Sequence, residues 1–256
     1  MSSVTIVIPI RVTKSHPRSI DRLIVSLDGA RRGSGHVLED IIVVDSCSDQ
    51  PYRRRIRRVC SDYQARFVMS DVRFPWNQGR ILNGGMRMAD TEYVMRMDCD
   101  IILSKGFWQA VERKVSPTLF LLSNTFFLTE EPPKGFISWG DDERERWLKG
   151  HNKGTRIGAK GGVQIFSREW FNRVQGYDEC FELWGSDDED MVNRAKRSGL
   201  KIRRVARNYH IPHRNTRVAL DPTGKQRWKN HARKTKSSPK LPIKRNEDLG
   251  REWGLV

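Results

Sequence analysis

Hydrophobic positions fall in short continuous runs separated by polar, helix-spaced stretches. Val4-Thr5-Ile6-Val7-Ile8-Pro9 is apolar and β-branched at nearly every position and ends on a proline, which predicts a strand covered on both faces. Ile41-Ile42-Val43-Val44 repeats the pattern and stops at Asp45, Phe67-Val68-Met69 gives a short third strand, and Tyr93-Val94-Met95-Arg96-Met97 a fourth that runs into Asp98. Residues 18–29, 51–64 and 80–89, lying between these runs, have helical spacing. Strand–helix alternation with unbroken apolar strands predicts an α/β fold, a Rossmann-like, mainly parallel sheet with helices on both faces. Residues 129–160 are rich in Gly, Pro and charge, with Trp139 and Trp147 among them, and predict a long loop of the kind that serves as an active-site lid. Residues 189–198 predict a helix closed by Gly199, and 201–206 another strand. From about residue 220, Pro222, Gly224, Pro239 and Pro242 among many basic residues predict a loosely structured appendage. The expected organisation is one domain over 1–215 and a basic C-terminal extension over 216–256.

Composition is compatible with that picture. Of 256 residues 37% are hydrophobic, and eight Trp with ten Phe argue against general disorder. The net charge of +16 is unevenly placed: residues 201–256 hold 16 Lys/Arg against 4 Asp/Glu. Such a segment suits a polyanionic partner, such as nucleic acid, an anionic glycan or a membrane surface, as well as a merely solvated tail. The four cysteines (Cys47, Cys60, Cys99, Cys180) form no Cys-x-x-Cys pair, so neither a zinc site nor a redox motif is suggested, and free cysteines fit a reducing compartment. No charged-start signal segment and no apolar run of about 20 residues occurs, so the expected location is cytoplasmic with no membrane span.

Candidate chemistry clusters where strands end. Ligands of parallel sheets bind beyond the carboxyl ends of the strands, and Arg11, Asp45, Asp98 and Asp100 each follow such an end. Asp98-x-Asp100, set in an apolar stretch, can hold a divalent cation and oxygens of a ribose or diphosphate. In Trp184-Gly185-Ser186-Asp187-Asp188-Glu189-Asp190, four successive acids fit a helix N-terminus, and a carboxylate there, in a cleft beside an aromatic, suits a general base. His210 and His213 are two imidazoles three residues apart beside a strand end and can share one metal; with Asp98 and Asp100 the N,N,O,O set suits a borderline ion such as Mn²⁺.

Together these residues resemble the inverting glycosyltransferases of the β-1,4-galactosyltransferase family, with GT-A fold, over roughly residues 4–215; chondroitin-polymerase-type and family 2 enzymes are more distantly similar. Val7-Ile8-Pro9-Ile10-Arg11 resembles the family's first strand and its nucleotide-contacting Arg, which implicates Pro9 and Arg11 in donor binding, and Asp45 sits where the family binds uridine. Trp76-Asn77-Gln78-Gly79-Arg80-Ile81-Leu82-Asn83-Gly84-Gly85 is similar to Phe-Asn-Arg-Ala-Lys-Leu-Leu-Asn-x-Gly, implying donor contacts from Asn77 and Arg80, with Gln78 standing where the family has Arg. Asp98-Cys99-Asp100-Ile101-Ile102 matches Asp-Val-Asp-Leu-Ile. The fullest match runs from Gly161-Gly162-Val163 through Trp184-Gly185 to Asn193-Arg194; by it Asp188 is the catalytic base, and Gly161, Gly162, Trp184 and Asp187 shape the donor and acceptor pocket. His210-x-x-His213 falls on a Met-x-x-His metal motif with His in place of Met. The resemblance implies a UDP-sugar donor and Mn²⁺; imidazole, a harder ligand than the thioether it replaces, widens the expected ions to Mg²⁺. The membrane anchor and disulfide-permissive domain of animal members are not visible, which suggests a bacterial or phage version. The acceptor is left open among a glycan, a protein and modified DNA such as hydroxymethylated bases. Two other classes compete. A nucleotidyltransferase needs a Gly-rich loop after the first strand, and Pro9-Ile10-Arg11-Val12-Thr13-Lys14 has no glycine. A nucleic-acid-binding protein explains the basic tail but not the acidic motifs.

Overall fold

Strand β1 (Val4–Ile10) is buried at all seven positions. Successive side chains of a strand point to opposite faces, so an unbroken apolar run requires cover on both sides. Ile6 and Ile8 face α1 (Ser19–Arg31) and α2 (Gln50–Asp62) in one core, with Leu23, Leu27 and Ile56. Val7, on the other face, joins Ile81, Leu82 and Met86 of α3 (Gln78–Arg87) and Met191 and Val192 of α7 (Asp187–Arg197) in a second core. Helix α3 lies close against the sheet because Gly85 carries no side chain: a Cβ there would come within 2.9 Å of the Val44 Cγ2 atom and closer still to Val7.

The computed structural model describes residues 2–72, 75–155, 160–183, 185–213, 222–235, 244, 246, 249 and 251–255. The remaining strands are β2 (Leu38–Ser46), β3 (Arg66–Ser70), β4 (Tyr93–Met97), β5 (Ile101–Leu103), β6 (Leu119–Leu128), β7 (Asn152–Thr155), β8 (Val163–Ser167) and β9 (Lys201–His210). They form one sheet in the order β3-β2-β1-β4-β8-β6-β9-β5, with β7 paired to β6 off that path. The block β3-β2-β1-β4 is all parallel, as the apolar runs predict. Beyond it β8 runs antiparallel between β4 and β6, β9 is parallel to β6, and β5 antiparallel to β9. Helices α4 (Phe107–Glu112), α5 (Asp141–Gly150), α6 (Arg168–Arg173) and α8 (Lys225–Thr235) complete the described elements, with one 3₁₀ turn at Phe136–Ser138.

Two segments differ from the sequence expectation. Residues 129–155 are not a loop free to act as a lid. Phe136 and Leu148 are buried in a third core with Ile102, Tyr209 and Ile211, flanked by Trp139 and Trp147. The charge density that suggests a loop is the outer face of α5, whose first turn carries Asp141, Asp142 and Glu143, favourable at the positive end of a helix dipole. Arg144 is the exception: it is buried, pairs with Asp28 and lies 4.5 Å over the Phe136 ring. The second segment is the C-terminal one, where α8 is docked rather than loose. Arg233 forks onto Asp178 at 2.5 and 3.0 Å, Lys234 pairs with Glu189, and Asn230 donates to the Glu182 carbonyl at 2.7 Å. Asn246 is buried on the Gln175 and Tyr177 carbonyls, and the Trp253 ring meets Phe171 edge-on at 5.5 Å. Part of the basic excess is therefore matched by acids of the body, a pairing between distant positions that a linear charge count does not reveal.

Candidate active site

Asp98, Cys99 and Asp100 make the tight passage from β4 to β5. The Asp98 N–H donates to the Gly162 carbonyl at 3.0 Å, and the Asp100 carbonyl accepts from the Ile211 N–H at 2.9 Å. The acidic pair is thereby fixed between the start of β8 and the end of β9. Gly162 has φ +85°, a left-handed conformation that favours glycine.

Strand β9 ends at His210, and His213 follows a short extended segment. The Asp100 Oδ2 atom lies 3.0 Å from His213 Nε2 and 3.6 Å from His210 Nε2. The ligand atoms of the three residues lie within 4.8 Å of one another. His210 is steadied by Phe127 at 5.0 Å between ring centroids. Asp100 Oδ1 and His210 Nδ1 are buried without a hydrogen-bond partner, a costly arrangement for a polar site unless something else is bound there. Two imidazoles and a carboxylate, with buried lone pairs left over, fit a borderline divalent cation. Burial by itself would raise the Asp100 carboxyl, but His210 and His213 hold it below the ordinary carboxylate value. Burial raises that of Asp98, against the pull of Arg96.

The second constellation is the first turn of α7. Asp187 Oδ2 accepts from an Arg96 NH group at 3.0 Å. Asp188 Oδ1 accepts from the Glu189 N–H at 2.9 Å, and the Asp188 carbonyl accepts from Gln164 Nε2 at 3.1 Å. Burial, then the charge of Asp187, pushes the Asp188 carboxyl up to about 6, with Arg96 pulling the other way. A carboxylate so placed can serve as a base close to neutral pH. Gly161 lies against it: a Cβ at that position would be 3.1 Å from Asp188 Oδ2.

The residues expected to hold the nucleotide divide into two groups. Arg11 follows β1, in which Pro9 is buried, and its Nε is itself buried without a partner. Asp45, fully buried at the end of β2, is already engaged: Ser48 donates to one oxygen and Arg53 Nε to the other at 3.1 Å. Asn77 caps α3 through the Arg80 N–H at 2.9 Å and donates to the Glu179 carbonyl. Arg80 reaches Asp71 and the Leu255 carbonyl, so the structure does not bring these two side chains into the Asp98–Asp188 cluster. Trp184 lies outside the described residues. Three side chains that the sequence does not mark as site residues sit at the centre: Arg96, Gln164, and Gln78, whose Nε2 donates to Asp98 Oδ1 at 3.0 Å. The signal for Arg96 is present in the chain, a lone charge inside an apolar strand.

Comparison with known proteins fits this geometry. Residues 5–118 match a family model described as glycosyl transferase family 2, and residues 157–216 one described as the N-terminal domain of galactosyltransferase. Human β-1,4-galactosyltransferase 2 is 27% identical over 106 residues, which is 40% of this chain and 28% of that protein. The mouse protein is 26% identical over the same length and shares. The chain thus matches under a third of the length of these relatives. Among solved structures, S. aureus TarS 1–349 superposes with a TM-score of 0.62 at 12% identity, covering 94% of this chain and 67% of that one. The mannosyltransferase PcManGT from Pyrobaculum calidifontis, in complex with GDP-Man and Mn²⁺, gives 0.63 at 18%, covering 93% and 65%. At such identities these neighbours speak for the fold, which is GT-A.

Proposed function

We propose that this GT-A glycosyltransferase moves a sugar from a UDP-sugar to an acceptor hydroxyl in a single inverting displacement assisted by a divalent cation. The observation that carries the reading is the pairing at one end of the sheet of an Asp100–His210–His213 cluster with Asp188, a partly buried carboxyl shifted toward neutrality. Arg96 links the two halves by touching both Asp98 and Asp187.

Asp188 takes the proton of the acceptor hydroxyl as its oxygen forms a bond to the anomeric carbon. The bond from that carbon to the diphosphate oxygen breaks, and the diphosphate leaves with the bonding pair. Asp100, His210 and His213, with Asp98 nearby, would hold a divalent cation, which would supply positive charge for the diphosphate; Mn²⁺ is the expected ion and Mg²⁺ the second. Arg11 holds the nucleotide from the end of β1. Gly161 and Gly162 keep the floor of the pocket free of side chains, and Asp187 anchors the turn that carries the base. Asp45, through Ser48 and Arg53, shapes the uridine end.

The acceptor is a hydroxyl of a glycan or a protein, with an acidic glycan or hydroxymethylated DNA as the polyanionic form of the same reading. The net charge of +16 supports the polyanion, while the use of Arg233 and Lys234 on body acids weakens it. Among the described residues no helix is long and apolar enough to cross a membrane, and we place the activity in the cytoplasm.

The test is nucleoside diphosphate release from a panel of UDP-, GDP- and TDP-sugars with Mn²⁺, with Mg²⁺ and with chelator. The expected result is cation-dependent UDP release from one sugar, lost in Asp188→Asn. Transfer that survives Asp188→Asn overturns the base assignment, and failure of every donor overturns the function.

A further inference from the structure

All five residues of β4 are buried, and only one is charged. Arg96 is 4% exposed. A guanidinium at such a position is strongly unfavourable unless its charge is matched and its N–H groups are used. Here one NH group donates to Asp187 Oδ2 at 3.0 Å, Nε and the other NH group lie 3.4 Å from Asp98 Oδ1, and the Tyr177 ring is 5.8 Å away. The two carboxylates come from opposite sides of the proposed reaction, Asp98 from the donor side and Asp187 from the helix that carries the base.

The strand register places a second polar residue beside it. Arg96 pairs with Gln164 of β8. Gln164 Nε2 donates to the Asp188 carbonyl at 3.1 Å, and its Oε1 accepts from the Tyr177 hydroxyl at 2.6 Å. Neighbouring side chains on two rigid strands thus fasten the first turn of α7, one through the side chain of Asp187 and one through the backbone of Asp188.

Several elements bring charge to Asp188. Asp187 and Glu189 flank it on α7, and Arg96 approaches from β4. Lys160, just before β8, and Lys234, on α8, are both spent on Glu189. Gln164 from β8 is neutral. Among the described cations around the base, Arg96 is the buried one, and without it Asp98, Asp187 and Asp188 would face one another with no described buried positive side chain between them.

We propose that Arg96 is a positioning residue for transfer: it braces the base-bearing first turn of α7 against the donor-side carboxylate Asp98 and supplies the buried positive charge that Asp188 faces. The kinetic part of this inference rests on the proposed glycosyl transfer; the electrostatic part does not. Arg96→Met removes the charge at similar length, and Arg96→Lys keeps the charge but not the fork. Carboxyl ¹³C NMR of Asp-labelled protein, assigned with Asp188→Asn, follows the titration of Asp188 directly in chelator.

The expected midpoint lies near 6 in the parent protein, about one pH unit or more higher in Arg96→Met, and within about half a pH unit of the parent in Arg96→Lys. Transfer by Arg96→Met should fall at least about ten-fold below the parent at pH 5 and recover most of that loss at pH 9. Well below both midpoints, raising the midpoint by one pH unit leaves about ten-fold less ionised base, whereas at pH 9 the base is ionised in both proteins. Arg96→Lys should lower kcat without moving the acid limb. An Asp188 midpoint unchanged in Arg96→Met overturns the inference, whether or not any sugar is transferred. If Arg96→Met does not fold, Arg96→Gln carries the same comparison. If the parent protein turns over no donor, the function fails and the NMR result still decides the role of Arg96.

Discussion

Asp188→Asn tests the assignment of the base and also the energetic cost of keeping a base in that place. The carboxyl is raised from an ordinary value of 3.8 to about 6. That rise corresponds to about 3 kcal/mol of destabilisation of the ionised form. Asp188 keeps some contact with solvent, so screening reduces this to about 1–2 kcal/mol. The sign follows from proton binding. Well below 3.8 the carboxyl is protonated in folded and unfolded chains alike, and it contributes nothing. Between 3.8 and 6 the unfolded chain ionises first, so the folded state binds more protons and stability falls as pH rises. Above 6 the full penalty persists. Asn has a similar shape and no charge to desolvate, so the variant should gain about 1–2 kcal/mol over the parent at pH 8 and no more than about 0.5 kcal/mol at pH 4, while transfer drops roughly 10²–10⁴-fold. Urea unfolding at the two pH values, with transfer rates measured alongside, reads both effects. A stability difference that is the same at pH 4 and pH 8 would refute the electrostatic reasoning even if transfer were lost.

Other consequences follow from the same geometry. Transfer by the parent protein should rise with pH through about 6, as Asp188 ionises, and a flat kcat/KM profile between pH 5 and 7 would exclude it as the base. Gly161→Ala places a methyl 3.1 Å from Asp188 Oδ2 and should cut transfer about ten-fold with little change in Tm. Gly85→Ala drives a methyl into Val7 and Val44 and should destabilise by about 1–3 kcal/mol in denaturant unfolding, wherever the activity lies.

The parallel half of the fold was legible because β1, β2 and β4 are apolar on consecutive positions, a pattern that only two-sided burial explains. The far half was legible only in part: the strand expected over 201–206 runs on to His210 as β9. Strand β9 carries Lys201, Arg203, Arg204 and Arg207 and has no apolar run, since its middle lies toward the solvent side of the sheet. Its length to His210 is set by pairing with β6 and β5. Helix α5 was hidden by its charged outer face, and its inward set is only Arg144, Trp147 and Leu148. At the site, the acids and histidines were readable one by one, because carboxylates at strand ends are unusual in apolar surroundings. What could not be read was their pairing. Asp45 looks free in the sequence, but Arg53 lies one helical turn inside α2 and closes on it. Asn77 looks like a ligand contact and is used as a helix cap. Arg96 looks like an interruption of a strand and becomes intelligible only when Asp187, 91 positions later, is folded against it.

The proposed cation site differs from that of the resembled family in one ligand. Where that family has Met, this chain has His210, so the cluster offers two imidazoles and a carboxylate in place of one imidazole, a thioether and a carboxylate. A thioether binds soft ions and contributes little to a hard one, whereas imidazole and carboxylate serve borderline and harder cations. The parent protein should therefore accept Mg²⁺ in place of Mn²⁺ more readily than a variant with the thioether restored. His210→Met tests this, since Met is flexible enough to occupy the space against Phe127. The ratio of transfer with Mg²⁺ to transfer with Mn²⁺, each at saturating metal, should fall on the order of ten-fold in His210→Met. Binding of Mn²⁺ alone, followed by its paramagnetic effect on water relaxation, should weaken in His213→Ala by about 10–100-fold, because that change removes the nitrogen 3.0 Å from Asp100. If the Mg²⁺ to Mn²⁺ ratio is unchanged by His210→Met, then His210 is not a ligand. Its buried Nδ1 and its contact with Phe127 would then be matters of packing, and the cation would be held by Asp98, Asp100 and His213 instead.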